Sequence, residues 1–434
     1  VALSQQLRRE AQAIFQAGVT AADPYQAVLN HLVANRPWPK VHVVAFGKAA
    51  CAMMKAALVC IPAESVVTAI AVTNDENVTA LANAVVLSAG HPLPDESGLQ
   101  AARRIAAIAS QAQEDELVLV LISGGGSALL PYPVAGVSLA DKIATTQILL
   151  ASGAAINEIN CVRKHLSELK GGGLAKLAYP AKVHALILSD VLGDDFSAIA
   201  SGPTVPDPTT FVDAIAILKN HQVWEITPAS VQAHLLAGLA GDVGETPKPG
   251  DAIFTNVTEQ LIGSNALSVH AMLASAKILG YTAQLYSAHL CGEAREAAKL
   301  WVATAKTLSE PSAMVAGGET TVTLRGTGKG GRNQELALAF ALEAKQQGLG
   351  GTWAFLSGGT DGRDGPTDAA GGLVDSGSIL RMVEAGCDPK ALLANNDSYH
   401  ALECSEDLLK TGATGTNVAD LQVLLFTPQY YDGN

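Results

Sequence analysis

The residues best suited to chemistry stand where apolar runs end. The run LVLVLIS (117 to 123) passes directly into Gly124, Gly125, Gly126 and Ser127. From Ser123 to Ser127 this reads as a strand end, a glycine turn and a helix start, a pattern whose backbone N–H groups can cradle phosphate that the missing Cβ atoms allow to approach. A tight turn without ligand fits the same letters. Lys48 follows Gly47 after VHVVAF (41 to 46), which brings an ammonium to the same kind of edge. Alone it reads as a solvated lysine, and a helix start disfavours a cation unless an anion lies beside it. Asp190 closes VHALILSD. A carboxylate there suits Mg²⁺ or activation of a hydroxyl, with the cap of a turn as the plainer alternative. Asp194 and Asp195 read as loop acids.

Further along, Asn160, Arg163, Ser167 and Lys170 recur at i, i+3, i+7 and i+10 of a helix predicted over 157–170, within about 80° of one another. They make one basic face opposite Val162, Leu166 and Leu169, either a solvated face or the wall of a site crowded by Gly171 to Gly173. His165 falls toward the apolar side. Arg325 and Arg332 flank GTGKGG (326 to 331), and two guanidiniums around a glycine turn suit a carboxylate or a transferring phosphoryl group. GTGKGG also satisfies the dinucleotide pattern GxGxxG, weakly, without a clear acidic ribose partner about 20 residues on. In SGGTDGRDGPTDAAGG (357 to 372), Asp361, Asp364 and Asp368 suit a cation, a hydroxyl or Asx turns. Walker A, GxSxG, HExxH and protein-kinase patterns are missing.

The elements that must position these groups are short aliphatic strands alternating with helices: VHVVAF, SVVTAIAV (65 to 72), AVVLS (84 to 88), LVLVLIS and VHALILS. Near-continuous apolar strands imply burial on both faces, hence an α/β fold with a Rossmann-like parallel sheet, helices on both sides and ligands at the carboxyl edge. Residues 1–240 form this N-terminal domain, and the Gly/Pro-rich 241–251 reads as a linker. Residues 252–434 form a second α/β domain with strands EQLIGS (259 to 264), TAQLYSA, SAMVA, TTVTLR (320 to 325) and TWAFLS and a helix over 333–347. The final strand, LQVLLF (421 to 426), is free to return to either domain.

Length and composition agree. The 434 residues suit two or three domains of roughly 150. With 48% hydrophobic and 16% charged residues, disorder is excluded. A net charge of −13 without a basic run excludes nucleic acid, and requires an anionic substrate to be held by local cations and N–H groups. Six dispersed cysteines read as reduced thiols in a cytoplasmic protein. The uncharged stretch 117–140 contains the glycine turn, Pro131 and Pro133 and is no membrane span, and no export signal is visible. Oligomeric state is not encoded legibly; a homodimer is compatible.

Taken together and in order, FGKAA (46 to 50), AGHPLPDE (89 to 96), LISGGGSALL (121 to 130), RKHLSELKGGGLA (163 to 175), LSDVLGDD (188 to 195), ASGPTVPDPTT (200 to 210), GGRNQELAL (330 to 338), SGGTDGRDGPTDAAG (357 to 371) and TGTNVADL (414 to 421) resemble the class II glycerate kinases. That family joins an N-terminal α/β domain to a C-terminal MOFRL domain. The resemblance implies ATP-dependent phosphorylation of D-glycerate to 2-phosphoglycerate, with Mg²⁺, in a cleft between the two domains. Lys48 and Arg325 fall where the family places its site lysine and arginine. On this reading Ser123 to Ser127 hold nucleotide phosphates and Asp190 takes Mg²⁺ or the 2-hydroxyl. Lys48 and Arg325 take the transferring phosphoryl or the carboxylate. Asn160, Arg163, Lys170, Arg332, Asn333 and Asp361 contact the substrate or support the groups that do. The rival is an NAD(P)H-dependent hydroxypyruvate reductase, whose nicotinamide could only use GTGKGG.

Overall fold

VHVVAF and LVLVLI carry one polar side chain between them, His42, and every residue of both is buried in the computed structural model, which describes residues 2–32 and 37–429. His42 is tolerated because its ring bonds Thr68 Oγ1 at 2.9 Å and the Glu116 carboxylate at 3.0 Å. These runs are strands β1 (Val41–Phe46) and β4 (Leu117–Ile122). With β2 (Val66–Thr73), β3 (Val85–Ser88), β5 (Lys182–Leu188) and β6 (Val257–Gly263) they form a sheet of order β3-β2-β1-β4-β5-β6. Pairing is parallel from β3 through β5. The order runs one way from β1 to β3 and the other from β1 to β6, so the chain reverses direction between β1 and β4, the crevice where open parallel sheets bind ligands.

Helix Ala50–Cys60 packs on β1 and β2 with Met53 and Met54 fully buried. Helix Glu96–Gln111 adds Ala102, Ile105 and Ala109 to a core with Val44, Val72 and Val120. Its first turn is fixed by Asp95, which accepts from Gly98 N at 2.8 Å. Leu139–Ala151, Ile156–His165, Phe211–Asn220 and Ala229–Ala240 are helices sharing a separate core around Leu149, Val162, Phe211 and Leu235.

A second sheet, of order β11-β10-β9-β12-β8-β7, contains β7 (Thr282–Leu290), β8 (Ser312–Gly318), β9 (Thr352–Gly359), β10 (Gly371–Asp375), β11 (Leu408–Leu409) and β12 (Asp420–Thr427). It is antiparallel apart from the β7 and β8 pair. On one side Phe340 stacks on Phe355 and Trp301 meets Phe355 edge-on in an aromatic core; on the other, helix Ala2–Ala21 sets Leu7, Ile14 and Phe15 against Val315, Leu356 and Val423.

Several boundaries differ from those read in the sequence. The chain groups as Pro24–Ile262 and, separately, the residues up to Asp23 with those from Gly263 onward. The first helix therefore belongs with the C-terminal half, because its apolar face is buried there. EQLIGS becomes β6, the edge of the first sheet, and the final strand is β12 of the second. Residues 241–251 form no helix or strand but are no linker: Glu245 accepts from Phe211 N at 2.9 Å, and Asp207 N donates to Pro247 O at 2.8 Å, tying the segment to the N-terminal unit. TTVTLR is not a strand, retaining one isolated bridge at Thr321. The helix expected over 157–170 stops at His165, so Ser167 and Lys170 lie in the turn beyond it. Cys387 and Cys404 form a disulfide, correcting the reading of six reduced thiols. The packing of helix Ser378–Glu384 on helix Ser398–Cys404 folds this stretch back on itself and brings the two cysteines together, which their spacing in the chain did not reveal. No described helix is long and apolar enough to cross a membrane.

Phe15 is 2% exposed. Phe15→Ala is expected to cost about 3–5 kcal/mol, the usual range for a buried phenylalanine. In limited proteolysis, cleavage after residue 263 should accelerate while the 24–262 segment keeps its parental rate.

Candidate active site

At the carboxyl edge of β1 and β4 two turns lock together. Ser123 N donates to Phe46 O at 3.0 Å, Lys48 N to Gly124 O at 2.9 Å, and Ala49 N to Ser123 Oγ at 3.1 Å. Gly47 is obligatory: its φ is +120°, and a Cβ there would lie 2.1 Å from Ser123 Oγ. Gly125 also has a positive φ, +86°, and caps the short helix Gly126–Leu129. Amides in the first turn of a helix have no intrahelical acceptor. The Lys48 side chain lies beside this loop, its Cγ 3.5 Å from the position of a Cβ on Gly125.

Asp190, two residues beyond β5, reaches the loop from the other side. A Cβ on Gly124 would stand 2.1 Å from Asp190 Oδ2, so the missing side chain makes room for this carboxylate. Asp195 instead turns to its own loop, accepting from Ser197 N at 2.9 Å and Ser197 Oγ at 3.0 Å.

The third wall is basic. Lys170 Nζ donates to Ser127 O at 2.9 Å and Ser127 Oγ at 3.1 Å; Ser127 Oγ meets Ser201 Oγ at 2.9 Å; and Ser201 Oγ donates to Asn160 Oδ1 at 3.4 Å. Ala200, Ser201 and Gly202 are consecutively left-handed, with φ of 51°, 60° and 61°. Two of these carry a Cβ, a costly conformation held here by Gly171 N on Ser201 O and Gly172 N on Gly202 O. Lys142 Nζ donates to Leu166 O at 2.7 Å. Burial, then repulsion from Arg163, brings the Lys142 ammonium down to about 7. Burial pushes Lys170 well below the ordinary lysine range, with Lys142 and Arg163 adding to the effect, and lowers Arg163 as well. None of the three makes a salt bridge among the described residues. Two buried lysines and a partly buried arginine thus crowd together and hold their protons weakly, and an anion bound beside them would favour the charged forms.

Of the residues singled out in the sequence, Lys48, Ser123 to Ser127, Asn160, Lys170 and Asp190 thus converge, with Arg163 in electrostatic contact. Three others went unseen. Lys142 sits in the first turn of helix Leu139–Ala151, where a lysine reads as solvated. Ser201 lay within ASGP, and His91 within HPLPDE, without individual notice. The His91 ring lies 3.1 Å from where a Cβ on Gly125 would be, and burial, then Lys48, lowers its pKa, favouring the neutral imidazole.

In the C-terminal unit, Arg325 is exposed, with no side-chain partner among the described residues, on a loop whose backbone is heavily bonded. Arg332 forks onto Asp420 (Nε to Oδ2 2.6 Å, Nη2 to Oδ1 3.0 Å) and meets Glu319 at 2.9 Å, which occupies its donors. Asn333 accepts from Ser357 Oγ at 2.6 Å and donates to Asp364, whose carboxyl burial raises to about 6. Asp361 makes an Asx turn with Arg363 N, and Asp368 pairs with Tyr399 and Lys410. GTGKGG lacks the strand a dinucleotide site needs before it. Its glycines make room for protein: Cβ atoms on Gly326, Gly328 and Gly330 would lie 2.2–2.4 Å from Asn395, Asp397 and Ser398.

Two family descriptions match the chain, a domain of unknown function (DUF4147) over residues 10–236 and the MOFRL family over residues 312–420. The chain is 42% identical to a Pyrococcus horikoshii protein named glycerate 2-kinase, over 94% of this chain and 95% of that one. It is equally 42% identical to an Agrobacterium vitis protein whose name places it provisionally as a hydroxypyruvate reductase, over 98% and 95%. The crystal structure of glycerate kinase from Thermotoga maritima matches with a TM-score of 0.90 at 41% identity, covering 98% of this chain and 100% of that one.

A lysine whose pKa falls on folding binds its proton more weakly in the folded chain. Between about 7 and the ordinary 10.5 the unfolded chain therefore holds a proton the folded one lacks, and stability rises with pH across that window. Lys142→Met should flatten this rise by up to about 1.4 kcal/mol per pH unit, measured by denaturant titration at a series of pH values between these limits. An unchanged slope would mean that folding does not alter the Lys142 proton affinity.

Proposed function

This chain belongs to the DUF4147 and MOFRL family that includes proteins named glycerate 2-kinase, and we propose from that premise that it transfers the γ-phosphoryl group of ATP to the 2-hydroxyl of D-glycerate. The hydroxyl oxygen forms a bond to the γ-phosphorus while the bond to the ADP oxygen breaks, giving 2-phosphoglycerate and ADP and releasing the hydroxyl proton. The observation that carries this reading is the glycine loop at the β1 and β4 reversal with Lys48 on one side, Asp190 on the other and Lys170 donating to Ser127 behind it.

Phosphoryl transfer asks for placement and for fixed charge where negative charge gathers, and little else from the protein. Gly124 to Ser127 offer backbone N–H groups to the nucleotide phosphates, with Lys170 holding the loop through Ser127. Lys48 neutralises the transferring phosphoryl. Arg163, with Lys142 and Lys170 near it, is suited to a carboxylate or phosphate oxygen. Arg325, an exposed guanidinium without a side-chain partner among the described residues, is suited to a phosphoryl group or the glycerate carboxylate. Arg332 and Asn333 hold the Asp420 and Asp364 carboxylates, and Asp361 supports neighbouring backbone.

Among the described residues no three His, Cys, Asp or Glu side chains are grouped to hold a metal by themselves. Mg²⁺ that takes its other ligands from phosphates and water needs only one or two carboxylates, and Asp190, set into the space beside Gly124, fits that need. The ion would neutralise phosphate charge; Asp190 would hold it or accept the hydroxyl proton. The reductase reading has the Agrobacterium vitis name in its favour, but the packing of the GTGKGG glycines against residues 395–398 speaks against its nicotinamide site.

The test incubates the protein with D-glycerate and MgATP and follows ADP, and separately follows NAD(P)H with hydroxypyruvate. ADP formation dependent on glycerate is expected; NAD(P)H oxidation without it would falsify the kinase reading. Gly125→Val should raise KM for ATP and lower kcat, because a branched side chain is strained at positive φ and meets His91. Lys48→Ala should lower kcat by a factor on the order of 10². For Asp190→Asn, kcat should fall similarly, and partial recovery at high Mg²⁺ identifies a metal-holding carboxylate, whereas none identifies a proton acceptor.

A further inference from the structure

We propose that Asn396 is a positioning residue that fixes the backbone from which the Arg325 guanidinium extends, an inference that rests on the role assigned to Arg325 above. Asn396 is 3% exposed and left-handed, with φ of 55°. Its Oδ1 accepts from Arg325 N at 2.7 Å and Gly326 N at 3.0 Å; its Nδ2 donates to Thr323 O at 3.3 Å and Glu335 Oε2 at 3.0 Å. All four hydrogen-bonding positions of one amide are thus used, three of them on the backbone within two residues of Arg325.

The direction of this amide is set by chemistry. A carboxylate only accepts, so Glu335 must face the NH₂ group, which leaves the oxygen for the two backbone N–H groups. Glu335 is itself fixed, 1% exposed in the first turn of helix Arg332–Gln347 and bonded through Oε1 to Arg295 Nε at 2.7 Å. Arg295 in turn donates to Leu393 O at 2.8 Å, close to Asn396 in the chain. The rest of the loop follows the same template: Asn395 Oδ1 accepts from Thr327 N, Asn395 O from Gly328 N, and Asp397 Oδ1 from Lys329 N. The Arg325 side chain has no partner of its own among the described residues, so what is held is its point of departure, through its backbone. A buried, fully bonded asparagine in a left-handed conformation is a costly arrangement for a surface loop, and its product here is a fixed starting point for one cation.

Asn396→Gly keeps the left-handed backbone available and removes the bridge. It should lower the same kinetic parameter that Arg325→Ala changes, kcat or KM for glycerate, by about tenfold, with thermal unfolding near parental. In the Arg325→Ala background it should change that parameter by less than about twofold, since residues acting as a unit do not add. Glu335→Gln, which lets the Asn396 amide turn over, should cause a several-fold loss in the parental background and none in Arg325→Ala, and it serves as well if the glycine variant is unstable. Equal losses in both backgrounds would overturn the proposal, because they mark a general loss of structure. Parental kinetics for Asn396→Gly and Glu335→Gln alongside a defective Arg325→Ala would overturn it too, while leaving the role of Arg325 intact. Parental kinetics for Arg325→Ala would remove that role, and the proposal with it.

Discussion

A charge withdrawn from water needs a counter-charge, and the two units meet that constraint in opposite ways. In the C-terminal unit the partly buried arginines are paired: Arg8 bridges Asp375 and Asp407, Arg381 shares both, Arg295 holds Glu335 and Arg332 forks onto Asp420. In the N-terminal unit Lys164 has Asp207, but Lys142 and Lys170 donate to carbonyls and a hydroxyl and, like Arg163, make no salt bridge among the described residues. Burial of these groups on folding is met partly by weaker proton binding. An anion arriving there favours the return of protons to the lysines, so its binding and their charging are linked.

The same contrast separates two glycine-rich loops that look alike as letters. At Gly124 to Gly126 the missing side chains leave space beside a carboxylate, a lysine and a histidine. At Gly326, Gly328 and Gly330 they admit the backbone and side chains of residues 395–398. Glycine marks close approach in both, and only the identity of what approaches distinguishes a ligand cradle from a packing seam.

The parallel sheet was legible because its strands are apolar on both faces, and the glycine loop, Lys48 and Asp190 because each stands where such a strand ends. The polar face assigned to one helix was not a single helix. It ends at His165, and Lys170 reaches Ser127 from the following turn. TTVTLR alternates as a strand should, yet its backbone is engaged by Asn396 and Gly292 instead of a neighbouring strand. Lys142 and the first helix were hidden for a common reason: local sequence shows a lysine in a helix or an amphipathic stripe, and only tertiary packing decides what covers it. The mixed second sheet read as another α/β series because strand direction leaves no mark in composition.

That first helix has a consequence in time. Its apolar face is completed by β8, β9 and β12, so the unit it belongs to is interrupted by the whole of Pro24–Ile262. On a ribosome adding about 5–20 residues per second, some 400 residues separate the helix from the end of β12, on the order of 20–80 s. Throughout that interval Leu7, Ile14 and Phe15 lack the surface that buries them, while the inserted unit can already collapse around its own parallel sheet. Chain order thus makes the Pro24–Ile262 unit complete first and leaves helix Ala2–Ala21, made before it, to be buried later.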